Sequence, residues 1–189
     1  MNHELLQQNK VKDGDTMSLE SVKEHLKKWN RANDTMVFDS SSATVQEAAD
    51  TIGVKPEQIA KTLSFRGKDE KAILVVAAGD AKIDNKKFRH TFEFKARMLS
   101  PDEVVKQTGH PIGGVCPFGL ANDLDVFLDV SLKRFEKVYP ACGSTNSAIE
   151  VTCDELETYS SAKKWVDVCK GWDAESTETG VAEDNKTKV

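Results

Sequence analysis

The sequence predicts a single α+β domain in which short helices surround a mixed, largely antiparallel, barrel-like sheet. Two runs of residues carry most of that reading. Ala72-Ile73-Leu74-Val75-Val76-Ala77-Ala78 is apolar on both faces, as a strand in the middle of a sheet must be. Thr62 to Arg66 precedes it across the polar turn Gly67-Lys68-Asp69-Glu70, which makes the pair a hairpin. The third observation is that helix signals are short and scattered between strand signals, with no internal repeat, so the chain of 189 residues, 39% hydrophobic, closes around one core.

In chain order, residues 1–15 are polar, lack the apolar stretch of a secretory leader, and read as a flexible N-terminus. From Ser18, a candidate N-cap, Leu19, Val22, Leu26 and Trp29 recur at helical spacing and predict an accessory helix within 16–34. Met36 to Phe38 reads as a short strand. Thr44 and Glu47 form a capping-box signature opening a helix that Gly53 closes, and Pro56 starts another short helix running to about Lys61. Asp84 caps a basic helix, and Ser100-Pro101 opens one that ends at Gly109. A glycine-proline loop from His110 to Leu120 leads into a strand at Asp125 to Val130. Strands at Lys137 to Ala141 and Ala148 to Thr152 come next, then a capped helix from about Asp154. The folded domain is expected to span 16–172, and 173–189, rich in Glu, Thr, Lys and Asp, to be a disordered acidic tail.

Composition excludes several classes of function. The formal charge is −5, and because the tail holds about three of those negative charges the rest is close to neutral. Bulk electrostatic capture of nucleic acid is therefore excluded, and DNA is not an expected partner. No apolar run approaches the roughly 20 residues that cross a bilayer, so a cytoplasmic protein without a membrane partner is expected. Cys116, Cys142, Cys153 and Cys169 are widely spaced and match neither zinc-ligand nor small-disulfide patterns. No metal and no cofactor are expected.

Three segments carry a resemblance: Ile59-Ala60-Lys61-Thr62-Leu63-Ser64-Phe65, then Thr108 to Gly119 with Gly113-Gly114 at its centre, then Val126 to Val130 followed by Val138-Tyr139 and Gly143. In order and spacing they resemble the YbaK/prolyl-tRNA-synthetase-associated editing family, over about Thr35 to Trp172. The resemblance implies a compact domain that hydrolyses the ester of a mischarged tRNA in trans, a small amino acid on proline tRNA above all. Mischarged tRNA is then the partner, and prolyl-tRNA synthetase is a second partner it admits. A non-catalytic module of the same fold, binding aminoacyl-tRNA or a synthetase, is the alternative. A small-molecule esterase is disfavoured because no G-x-S-x-G elbow or triad is readable.

Candidate residues divide by how much the resemblance adds. Lys61 resembles the family's essential lysine; on its own it reads as a lysine whose stem lies along apolar surface at a helix end. Gly113 and Gly114 can present backbone N–H groups to a developing oxyanion, or simply make a tight turn. Cys116, where relatives often carry serine, is expected at the pocket wall or in the core, and Pro117 at the pocket wall; the six-residue spacing to His110 is no evidence of an activated thiol. Asp129 either orients a group near the site or caps the helix after Ser131, and Asn146 resembles a segment of the alanine-specific branch. Ala141-Cys142-Gly143-Ser144 departs from the family's usual residues and leaves the substrate branch open. Lys82, Lys86, Lys87 and Arg89 form a cluster that either touches tRNA phosphates or is a solvated helix face.

Overall fold

The computed structural model describes residues 3–173, with side chains from Asp15 onward. The expectation for 174–189 lies outside the described residues. Helix α1 spans His3–Leu26, so it starts well before Ser18, which lies inside it rather than at its cap. Before Ser18 the sequence has no apolar period to announce a helix, which is why periodicity placed the start too late. Ser18 has a different task. It is buried, and a Cβ on Gly143 would come within 2.7 Å of its carbonyl oxygen, so two small residues let the helix lie on the Gly143 turn. Val22 and Leu26 enter the main core, and Trp29 packs on Tyr159 at 4.7 Å between ring centroids.

The sheet grows from the hairpin. Strand β2 (Ile59–Arg66) pairs antiparallel with β3 (Ala72–Ala78) over seven residue pairs, and every residue of β3 is buried. On the outer side of β3 lies β5 (Asp125–Asp129), parallel to it, and β8 (Lys164–Val166) is parallel to β5. On the other side β6 (Tyr139–Pro140) pairs parallel with β2, giving the order β6-β2-β3-β5-β8. Two antiparallel ribbons complete the strands: β1 (Met36–Val37) with β7 (Ser147–Ala148), and β4 (Lys82–Ile83) with β9 (Cys169–Lys170). The sheet is mixed, as expected, but it does not close into a barrel. Its edge strands are two and three residues long and do not pair with each other, so among the described residues there is no ladder to seal it.

Capping chemistry set the helices as the sequence indicated. Helix α2 (Val45–Ile52) is capped by Thr44, whose side chain accepts from the Glu47 N–H, and it ends at Gly53 with φ +83°. Glu47 does not return the bond to Thr44, because its carboxylate accepts from the Ser41 hydroxyl instead. Helix α3 (Asn85–Phe92) starts on Asp84, α4 (Pro101–Thr108) on a complete Ser100–Glu103 capping box, and α5 (Cys153–Ser160) on a complete Thr152–Glu155 box. Each such cap is worth about 1 kcal/mol. The Pro56 turn stops at Gln58 and β2 begins at Ile59, so Lys61 lies within the strand and not at its junction with a helix.

Candidate functional site

Alternation along β2 fixes which side chains can line a cavity. Ala60, Thr62 and Ser64 share one face of the strand and border a cavity of about 230 Å³, whereas Leu63 and Phe65 pack into the core. Opposite them, Val45, Ala48 and Ile52 of α2 form an apolar wall. Val104 of α4 and Leu99 close one end, and Tyr139, Ala141 and Ala148 close the other. The Gly loop contributes Ile112, Gly113 and Val115, and Met98 and Ile112 are exposed at the rim, at 61% and 54%. Among the described residues, the lining contains no Asp, Glu, His or Cys.

Lys61 also borders the cavity, but its ammonium is anchored elsewhere: it donates to the carbonyl of Gly79 at 3.2 Å and to that of Ala81. Those carbonyls belong to the turn after β3, which Arg134 clamps by a two-pronged ion pair to Asp80, at 2.6 and 3.0 Å. Burial pulls the Lys61 ammonium below its ordinary value, and the nearby Asp80 carboxylate partly opposes that pull. Two of the three ammonium donors are thus held by the protein, and the third makes no hydrogen bond among the described residues.

The two glycines differ. Gly113 has φ +86°, borders the cavity, and sits so close to Ala43 that a Cβ would come within 2.7 Å of the Ala43 Cβ. Gly114 is buried, does not border the cavity, and spends its N–H on the Pro111 carbonyl at 3.0 Å, which holds the turn. Behind it, Cys116 and His110 are fully buried. The Cys116 N–H donates to His110 Nδ1 at 3.3 Å, so the ring's proton is on Nε2, which donates to the Gly119 carbonyl at 3.3 Å. Burial holds the imidazole neutral, pulled down to about 4, and pushes the Cys116 thiol up to about 12. Neither partner can activate the other near neutrality.

Four residues expected at the site are placed away from the cavity. Cys116 and Pro117 are buried behind the glycine turn. Asp129 is wholly buried and saturated: one oxygen accepts from the Ser131 N–H at 3.0 Å, and the other from the Val168 N–H at 2.9 Å. Asn146 ties β1 to the turn before β7, donating to the Phe38 carbonyl at 2.8 Å and accepting from the Ser144 hydroxyl at 3.0 Å. Its neighbours Ser147 and Ala148 reach the cavity instead. The basic cluster is divided. Lys82, Lys86 and Arg89 are exposed, whereas Lys87 is engaged with Asp167 at 3.0 Å and the Cys169 carbonyl at 3.1 Å. Sequence reasoning missed the α2 wall and the Thr62–Ser64 face. The available signal was two hydroxyl residues at alternate positions of a strand, between Lys61 and Arg66, that also carries apolar Leu63 and Phe65.

The structure is thus an α+β domain with a small, mostly apolar cavity between a strand, a helix and a glycine turn. The chain belongs to the aminoacyl-tRNA editing domain family, whose sequence pattern matches residues 39–159. Helix α1 lies before the matched region. The uncharacterized protein YwhH of Bacillus subtilis (strain 168) is 66% identical over 157 residues, covering 83% of this chain and all of that protein. The proline–tRNA ligase of Kosmotoga olearia is 35% identical over 91 residues, covering 48% of this chain but only 16% of the ligase. Among solved structures, a candidate trans-editing enzyme for prolyl tRNA synthetase superposes with a TM-score of 0.74 at 29% identity, covering 82% of this chain and 98% of that one.

Proposed function

We propose that the protein is a free-standing deacylase that hydrolyses the ester of a mischarged tRNA, a small amino acid on proline tRNA. The observation that carries this reading is the 230 Å³ cavity bounded by β2, α2 and Gly113, in a chain of the editing family. That volume lies below the roughly 300–1,000 Å³ of sites for drug-sized ligands. It suits an amino-acid side chain, and a wall of Val45, Ala48 and Ile52 rejects larger ones by contact. The likeness to prolyl-tRNA-synthetase-related proteins supports proline tRNA as the carrier.

An aminoacyl ester is already activated, so oriented water and donors to the developing oxyanion suffice. Gly114 has committed its N–H to Pro111, so the donor at the cavity edge is assigned to Gly113. The free donor of Lys61 is assigned to the ester or to the phosphate of the tRNA 3′ end. Lys82, Lys86 and Arg89, which face solvent, are assigned to acceptor-stem phosphates. The lack of any carboxylate or imidazole among the described lining residues favours one second reading, a module that binds aminoacyl-tRNA without cleaving it.

The test is deacylation of alanyl-, cysteinyl-, seryl- and threonyl-tRNA(Pro) by the wild type and Lys61→Ala, with thermal midpoints for both. Cleavage of one or two esters, lost by about a hundredfold or more in a folded Lys61→Ala variant, is expected. Binding without turnover would establish the second reading, and undiminished cleavage by Lys61→Ala would remove the lysine from the chemistry.

A further inference from the structure

The hydroxyls that border the cavity fall into three kinds. Most are committed: Ser42 donates to the Thr145 carbonyl at 3.3 Å, and Thr44 accepts from the Glu47 N–H at 3.1 Å. Ser147 accepts from the Ser144 hydroxyl at 2.6 Å, and Tyr139 donates to Glu150 at 2.8 Å. Thr62 Oγ1 has no partner but is sealed inside the protein. Ser64 is the third kind. It borders the cavity and is only 4% exposed, and its hydroxyl, without a partner among the described residues, is not sealed as that of Thr62 is. Its backbone is held from both sides, by the pairing with Leu74 of β3 and by the Leu99 N–H, which donates to the Ser64 carbonyl at 3.1 Å. The hydroxyl is therefore carried at a fixed place in the cavity wall.

Resting on the deacylase reading, we propose that Ser64 determines specificity: its hydroxyl pairs with a side-chain hydroxyl of the aminoacyl group, so that the cavity reads serine in preference to alanine. Ser64 lies beside Leu99, at the end of the cavity that Leu99 and Val104 close. An aminoacyl ester keeps its tRNA end at the mouth, so the part that reaches a closed end is the amino-acid side chain. The α-ammonium is the poorer partner, because the described lining holds no Asp or Glu to balance its charge and aliphatic surroundings favour an uncharged group. Lys61 also keeps a free donor, but its ammonium is anchored to the turn after β3 and addresses a different part of the substrate. A seryl group satisfies the Ser64 hydroxyl and is itself satisfied, whereas an alanyl group leaves Ser64 unpaired.

The experiment measures kcat/KM of the full-length wild type and Ser64→Ala on seryl- and alanyl-tRNA(Pro), two esters that differ by one hydroxyl, with thermal midpoints for both proteins. The wild type is expected to cleave the seryl ester at least as well as the alanyl ester. In Ser64→Ala the seryl-to-alanyl ratio is expected to fall about tenfold or more, while the midpoint holds or rises because a buried unpaired hydroxyl has gone. An unchanged ratio in the folded variant overturns the inference. So does an equal loss on both esters, which marks a contact to a part common to them or a structural role. A wild type that cleaves the alanyl but not the seryl ester overturns it as well. A wild type inert on every ester of the panel overturns the deacylase reading itself, and the inference with it.

Discussion

On one side of the 110–119 loop Ile112, Gly113 and Val115 border the cavity, and on the other His110, Cys116 and Phe118 are fully buried. The buried side holds the residues with the richer chemistry, an imidazole and a thiol 3.8 Å apart. The cavity side holds a glycine and two aliphatic residues. Yet burial without a charge partner fixes the imidazole and the thiol in their neutral forms, and their hydrogen bonds are spent on the loop's own backbone. Reactive-looking residues here serve to shape the loop, and the loop's cavity side is made of backbone and aliphatic surface. Substitutions on either side can test that division.

The largest effect is expected on the cavity side. Gly113→Ala would place a residue at φ +86° and drive its Cβ to within 2.7 Å of the Ala43 Cβ, so the turn must move away from the segment that leads into α2. Deacylation is expected to fall about a hundredfold, with a stability loss of about 1–3 kcal/mol. Both are read from kcat/KM and urea midpoints. Wild-type turnover in this variant would mean that the turn only borders the site.

The next effect belongs to the buried side and concerns pH. His110 titrates at about 4 in the folded chain, below its ordinary 6.5, so the unfolded chain binds a proton that the folded chain refuses. Its contribution is fully present above about pH 6.5 and is lost as pH falls toward 4, about 3 kcal/mol over that window. His110→Asn keeps an acceptor for the Cys116 N–H and removes the titration. The stability gap between wild type and variant should therefore narrow by about 3 kcal/mol between pH 7 and pH 4, as urea midpoints at those two values would show. A gap that does not change with pH would mean that the imidazole is solvated.

Local rules made much of the fold legible. The caps at Thr44, Asp84 and Ser100, the left-handed ends at Gly53 and Gly109, and the buried β3 are all short-range consequences of residue type. The upstream start of α1 was not, since its first turns carry no apolar period. Neither was the open sheet edge, which depends on how short β6 and β8 turn out to be. Lys61 and Gly113, which the resemblance singled out, border the cavity. Cys116, Pro117, Asp129 and Asn146 do not border it: proximity in sequence to a loop does not fix which face of it a side chain takes, and Asp129 takes its capping alternative.

The smallest effect is expected at the buried thiol. If Cys116 only fills space, Cys116→Ala should cost about 1 kcal/mol, the loss of one small buried group, and leave deacylation within about threefold of wild type. A thiol pushed to about 12 and shielded from solvent should also resist alkylation. Iodoacetamide at about pH 8 should therefore leave native Cys116 unmodified and activity intact, while the urea-unfolded chain reacts. Mass mapping of the alkylated peptide reads both outcomes. Rapid labelling of native Cys116 with loss of turnover would instead place a thiolate within reach of the ester, and the reactive-looking side of the loop would then be the functional one.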